Sequence, residues 1–273
     1  MKILISTDIE GVAGVFHAEQ VRPGNGEYER ARAWMTAEAN AAVQGAIAGG
    51  AEEVLVNDSH GGFRNLLPDG LDERARLVLG KPRYLGMMGG LEEGGCDAVF
   101  MIGYHSRSQG RGVLAHTINS FAFARVLING MELGEAGLYG ALAGEMGVPV
   151  ILGTGDDVFI AETRGLFPGA EWVQTKTAGG QGSGVTLSPA ASRRAIAAAA
   201  ETAVRNLKKA VPFRIAPPIE CRLQTQSTAL ADLFCMWPAL ERVDGVTLRF
   251  TTDSMQSAIR MLNSLAAMSF MLR

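Results

Sequence analysis

Four short apolar runs in this chain each end on a carboxylate or an imidazole, and helical patterns separate most of them. Ile3-Leu4-Ile5-Ser6 leads into Asp8 and Glu10, and Glu53 to Val56 leads into Asn57-Asp58-Ser59-His60. Asp97 to Ile102 leads into Gly103-Tyr104-His105, and Val148 to Leu152 into Gly153-Thr154-Gly155-Asp156-Asp157. Runs this short and continuous read as strands covered on both faces. Between the first two, Tyr28, Ala31, Met35, Ala39, Ala42, Val43, Ala46 and Ile47 recur at helical spacing until Gly49-Gly50 stops them. A further helix is predicted over Gly134–Glu145, and Ser188 caps a long alanine-rich one that Pro189 opens. Strand and helix in alternation predict an α/β fold: a mainly parallel sheet with helices on both faces. Such a sheet brings the carboxyl ends of its strands to one edge, where ligands bind.

The remaining elements follow from the same signals. Leu66 to Leu79 reads as a helix or an irregular crossover, and Val113–Ile118 and Phe123–Ile128 as strands. Asn129-Gly130 is a favoured two-residue hairpin turn. Glu171–Lys176 is a further strand, followed by a glycine-rich loop. Pro212, Pro217 and Pro218 mark a boundary. It divides residues 1–211, an α/β metal-binding catalytic domain, from residues 212–273, a small α+β C-terminal domain. The latter holds strands Glu220–Gln224 and Val246–Phe250 and helices Ala229–Leu240 and Ser254–Met268.

Asp8 and Glu10 are two apart, so an extended backbone sends both side chains to one face. Carboxylates held side by side repel and raise each other's pKa unless a cation lies between them. The topology adds His60, His105 and the pair Asp156 and Asp157 to the same edge, and Glu135 opens a helix that points there. Two histidines and three carboxylates suit one or two Zn²⁺ ions with positions left open for water. Each residue taken singly also has an ordinary reading: His60 as a turn cap, His105 as a hydrogen-bonded core residue, Glu135 as a helix-dipole partner. Asp156 and Asp157 read equally as a substrate-ammonium or ligand-orienting pair and as a cap. His116, within a predicted strand, is open to three readings: metal ligand, core histidine, or acid–base group. His17 reads as solvated, while Arg107 and Arg111 are either solvated or placed to receive a substrate carboxylate.

Composition narrows the partners. A net charge of −3 without a dense basic run argues against nucleic acid and anionic membrane surfaces. No apolar run reaches the ~20 residues that cross a bilayer. Met1 leads straight into a strand with no signal-peptide pattern, so a cytoplasmic protein is expected. Cys96, Cys221 and Cys235 are odd in number and widely spaced, which predicts reduced thiols.

Ser6-Thr7-Asp8-Ile9-Glu10-Gly11, Val56-Asn57-Asp58-Ser59-His60, Gly103-Tyr104-His105, His116, Gly134-Glu135 and Gly155-Asp156-Asp157 together resemble the DppA-type D-aminopeptidases. These are dinuclear zinc peptidases associated with bacterial dipeptide transport. The resemblance runs in order from residue 1 to about residue 190 and more weakly beyond. It implies that Asp8 bridges two zinc ions, that Glu10, His60, His105 and Glu135 complete the ligands, and that His116 matches the residue proposed as catalytic. It also implies a ring-based homodecamer and short peptide substrates with D-residues at the N-terminus, such as D-Ala-D-Ala. The run Gly179-Gly180-Gln181-Gly182-Ser183-Gly184 is more glycine-rich than the family leads one to expect.

The expected chemistry is attack on a peptide carbonyl by a metal-activated water, two ions sharing Asp8, with His116 in an acid–base role. Two other classes stand beside it. A dinuclear hydrolase of phosphoesters or other amides would use the same centre, and a phosphatase is expected to gather more Lys and Arg around it. A nucleotide-binding module would use Gly179–Gly184 as a phosphate loop, although that run lacks the Lys-Ser/Thr of a P-loop and comes late in the chain.

Overall fold

The structure, a computed structural model, describes all 273 residues. Strand β1 (Lys2–Thr7) is followed by helix α1 (Gly26–Ala48), β2 (Glu53–Asp58), the short β3 (Ala75–Val78) and β4 (Ala98–Ile102). The hairpin β5 (Phe123–Ile128) and β6 (Met131–Glu132) precedes α2 (Glu135–Glu145), β7 (Val150–Asp156) and α3 (Asp157–Thr163). Next come β8 (Glu171–Gly180), β9 (Ser183–Thr186) and α4 (Pro189–Arg205). The chain ends with β10 (Ile219–Thr225), α5 (Thr228–Phe234), β11 (Glu241–Arg242), β12 (Thr247–Thr252) and α6 (Met255–Met268).

The main sheet runs β3-β2-β1-β4-β7-β8-β9 and is parallel except where β9 folds back on β8. Its central strands read as unbroken apolar runs because each face has a cover. Ile3 and Ile5 of β1 point into a cluster with Met35, Ala42 and Ala46 of α1 and Ile196 and Ala200 of α4. Leu4 points the other way, into a cluster with Leu138 and Leu142 of α2, Phe159 of α3 and Ile259 and Leu262 of α6. The two helices on the first face approach closely. A Cβ at Gly45 would lie 2.2 Å from the Ala197 carbonyl, and one at Gly49 2.7 Å from Val204.

A second, antiparallel sheet, β11-β12-β10-β5-β6, closes the other side. Its central strand β10 follows Pro217-Pro218, yet pairs with β5 from the middle of the chain. Asn129 and Gly130 both adopt positive φ (48° and 81°), as the predicted hairpin turn requires.

Three readings change. Val113–Ile118 is an irregular loop rather than a strand, with Leu114 and Ile118 at positive φ. Its amides bond to side chains and loops instead of a ladder: Val113 N–H to Asp156 Oδ2, Leu114 N–H to the Gln181 carbonyl, and Ile118 N–H to Glu135 Oε1. Residues 66–79 hold only a one-turn helix and the edge strand β3, which pairs with β2. The run Gly179–Gly184 spans the end of β8, its turn and the start of β9, and it is exposed apart from part of Gly180. It precedes a strand, so it has none of the helix amides that a phosphate loop presents.

Candidate metal centre

Backbone contact brings the ends of β1 and β4 together. Asp8 N–H donates to the Ile102 carbonyl at 2.8 Å, and Gly11 N–H to the Gly103 carbonyl at 2.7 Å. A Cβ on Gly11 would fall 2.0 Å from the Tyr104 carbonyl oxygen, and one on Gly103 2.3 Å from that of Asp8. Only glycine permits two loops this close. Ser59 N–H donates to the Thr7 carbonyl, and the Ser6 hydroxyl bonds Ser59 Oγ, Tyr104 Oη and the Met87 carbonyl, which ties in the end of β2. From the second sheet's side, Glu135 enters as the first residue of α2, its Oε1 accepting from Ile118 N–H at 2.7 Å.

Six of the residues singled out in the sequence meet here. Asp8 turns one oxygen to each of two histidines: Oδ1 lies 3.3 Å from His60 Nδ1 and Oδ2 lies 3.4 Å from His105 Nε2. Glu10 Oε2 is 3.1 Å from the same His60 nitrogen, and Glu135 Oε1 is 3.4 Å from the same His105 nitrogen. His116 Nε2 stands 3.6 Å from Glu135 Oε1, its ring stacked on that of His105 with centroids 4.1 Å apart and planes 10° from parallel. Donor atoms of Asp8, Glu10 and His105 all lie within 4.8 Å of one another, as do those of His105, His116 and Glu135.

Most of these separations exceed a good N–H···O bond. They match a different spacing. Ligands ~2.0–2.1 Å from a tetrahedral Zn²⁺ stand ~3.3–3.4 Å apart along each edge. The nitrogen His105 Nε2 is buried and has no hydrogen-bond partner, which leaves its lone pair for an ion.

Second contacts set each imidazole in the form a metal needs. His60 Nε2–H donates to the Val21 carbonyl (2.8 Å), His105 Nδ1–H to that of Ser106 (2.9 Å), and His116 Nδ1–H to that of Leu114 (2.9 Å). In each ring the remaining nitrogen faces the carboxylates, the position from which it can hold either a proton or an ion.

The electrostatics carry the same message. Burial and the neighbouring Glu10 raise the Asp8 pKa. Burial also acts to raise Glu10, but the charge and hydrogen bond of His60, then His116 and His105, hold it well below the usual carboxylate range. Burial acts to lower His60 and His105, yet the facing carboxylates outweigh it and push both well above the ordinary imidazole value. Positive charge is what this cluster demands, and protons or divalent ions can supply it.

The other candidates resolve differently. Asp156 caps α3 through Phe159 N–H (2.7 Å) and accepts from Val113 N–H (2.7 Å), while Asp157 accepts from Ala178 N–H (2.7 Å). Their hydrogen bonds therefore go to backbone amides: Asp156 caps α3, and Asp157 ties the start of that helix to β8. Arg107 is bound to Glu162, with Nη1–Oε2 at 2.9 Å, and Arg111 is exposed. His17 is exposed and caps a short turn. The three cysteines are free.

Sequence reasoning missed Lys176. It lies in β8, 2% exposed, and its ammonium donates to the carbonyls of Glu10, Val12 and Val15 at 2.6, 3.0 and 2.5 Å. The signal was a lysine between Thr175 and Thr177, in a strand whose other inward positions are apolar or hydroxyl-bearing. Burial lowers its pKa to about 8.

Comparison with known proteins agrees with this geometry. The family model for D-aminopeptidases matches residues 1–264. A D-aminopeptidase of Bacillus subtilis (strain 168) is 35% identical over 218 residues, 80% of this chain and 78% of that protein. The structure of the zinc-dependent D-aminopeptidase DppA from Bacillus subtilis, described as a self-compartmentalizing protease, superimposes with a TM-score of 0.95 at 29% identity. That match covers 99% of this chain and 98% of the other. No helix is long and apolar enough to cross a membrane.

Proposed function

This chain belongs to the D-aminopeptidase family, and from that premise we propose that it is a zinc-dependent aminopeptidase cleaving short peptides with a D-residue at the N-terminus. The observation that carries the reading is the two-sided Asp8, each oxygen shared with a different histidine and a different glutamate. It supports two zinc ions per subunit, one held by Asp8, Glu10 and His60, the other by Asp8, His105 and Glu135. When bound, zinc supplies Lewis acidity toward the scissile carbonyl and an activated water.

The chain's own residues supply the rest. The carbonyls of Val21 and Ser106 orient His60 and His105, so the other nitrogen of each ring is the one turned toward the ion position. His116 has Nδ1–H committed to the Leu114 carbonyl, and its Nε2 borders the cavity at 20% side-chain exposure. That nitrogen is the group to hold a proton and give it to the departing amine, an acid–base role that needs no covalent step. A self-compartmentalizing relative supports a homo-oligomer that encloses its sites, and the assembly we propose is a ring-based decamer that admits short peptides. A phosphoester substrate is the less favoured reading, because Lys81 is the only cation lining the cavity.

The test is direct. Chelated protein is expected to release no alanine from D-Ala-D-Ala, and added Zn²⁺ to restore release. Full turnover without metal would overturn the reading.

A further inference from the structure

One cation faces the cavity with no acid to hold it. The cavity beside the metal centre is about 110 Å³ and is bounded on one side by Asp8, His116 and Glu135. Phe63 and Lys81 line it as well. Lys81 Nζ sits 4.3 Å from the centre of the Phe63 ring and makes no hydrogen bond or ion pair within the chain. Its neighbour Arg83 also lies over that ring, at 4.1 Å, but donates to the Asn57 side chain and the Asp58 carbonyl and is thereby committed.

The platform is built at a cost. Phe63 is 7% exposed and holds φ at 57°, a left-handed conformation that a bulky residue rarely adopts. Strain of this kind persists where surrounding structure imposes it, and it concentrates at ligand sites. Lys81 itself is exposed at the rim, with desolvation lowering its pKa and the Glu135 charge opposing that shift. A free ammonium therefore stands next to a centre made of three carboxylates.

The chemistry of a short peptide completes the argument. An aminopeptidase substrate presents its amine and first carbonyl to the metals. In a dipeptide the terminal carboxylate follows one residue later, within the same small cavity that the unpartnered Lys81 ammonium lines, and a charge-assisted contact there would hold it. A longer peptide or an amide has no charge there to receive. The cavity is also smaller than the ~150 Å³ void that accepts benzene, which suits small side chains. Resting on the aminopeptidase reading above, we propose that Lys81, on its Phe63 platform, binds the C-terminal carboxylate of dipeptide substrates and makes the enzyme prefer free dipeptides to their amides.

The measurement uses the zinc-loaded full chain with D-Ala-D-Ala and D-alanyl-D-alaninamide, which differ only at the carboxylate. The wild type is expected to favour the acid by on the order of tenfold or more in kcat/KM, chiefly through KM. Lys81→Met should bring that ratio close to one, and Lys81→Arg should retain part of it. Calorimetry adds a readout without turnover: in a zinc-loaded His116→Ala background, Lys81→Met should weaken D-Ala-D-Ala binding about tenfold while the bound zinc per chain stays the same. A wild type indifferent to the carboxylate, or a Lys81→Met variant with the wild-type ratio, would overturn the proposal. Hydrolysis of neither peptide by the wild type would instead sink the aminopeptidase reading beneath it.

Discussion

At the scale of single residues, Asp8 and His116 do separable jobs, and substitutions can tell them apart. Asp8 faces both halves of the cluster, so Asp8→Asn, which removes its charge, should empty both metal positions together. Metal analysis of the purified variant checks this, and retention of one ion would mean that Asp8 is not shared. His116 lies at the margin of the cluster, 3.6 Å from Glu135 and stacked on the His105 ring, and is not among the residues assigned to either ion. His116→Gln is therefore expected to keep its zinc and lose turnover by ~10²–10⁴-fold, the range of an acid–base group. The candidate residues were legible because Asp8, Glu10, His60 and His105 each follow a recognisable strand end. His116 was not assignable from its surroundings in the chain. It lies in an apolar stretch that reads as a strand, and only the contacts with Asp156, Gln181 and Glu135 turn that stretch into a loop facing the metals.

At the scale of elements, the site depends on loops held against one another. Gly11→Ala would drive a methyl to 2.0 Å from the Tyr104 carbonyl, separating the ends of β1 and β4. The expected loss is about 3 kcal/mol of stability or more, with weakened zinc binding, as read by denaturant melts and metal titration. Lys176 clamps the same loop from β8. Lys176→Met would leave the carbonyls of Glu10, Val12 and Val15 without their donor. Each unsatisfied buried carbonyl costs ~1–3 kcal/mol, less what removing a buried charge returns, so a net loss near 3 kcal/mol is expected. The pH dependence has a defined sign. Folding lowers this lysine from 10.5 to about 8, so the folded chain gives up the proton first. Its contribution to stability is full above pH 10.5 and falls away as pH drops through 8. Melting curves across that window should rise more with pH in the wild type than in Lys176→Met; parallel curves would count against the assignment. Helix and strand periods revealed most elements here, but β3 and β9 escaped because they are short and their sequences are not apolar enough to stand out.

For the whole molecule, two features invite measurement. Met236, Phe270 and Met271 are 75%, 62% and 73% exposed in the single chain, which makes the C-terminal tail a place to test for a subunit contact. If the protein is a homodecamer, light scattering should give about ten times the 28.9 kDa of one chain. A double Phe270→Glu, Met271→Glu variant is expected to shift the distribution to smaller species if this tail is an interface. The second feature is the sheet formed across the proline boundary. Strand β10 pairs with β5 over Cys221–Thr225, so a chain ending at residue 211 would leave β5 with only the two-residue β6 beside it. Such a truncation should aggregate during expression, and a soluble, zinc-binding fragment would show that residues 1–211 stand alone.

The alternation of the central strands with their helices, the apolar strand interiors and the polar residues at their carboxyl ends follow from the sequence alone. Those patterns depend on periodicity and local turn chemistry, which a chain carries in its immediate neighbours. Which oxygen of Asp8 meets which histidine was decided by tertiary structure, as were the loop at His116, the clamp at Lys176 and the free ammonium of Lys81. These are contacts between residues far apart in the chain, set by backbone approaches that leave no period in the sequence.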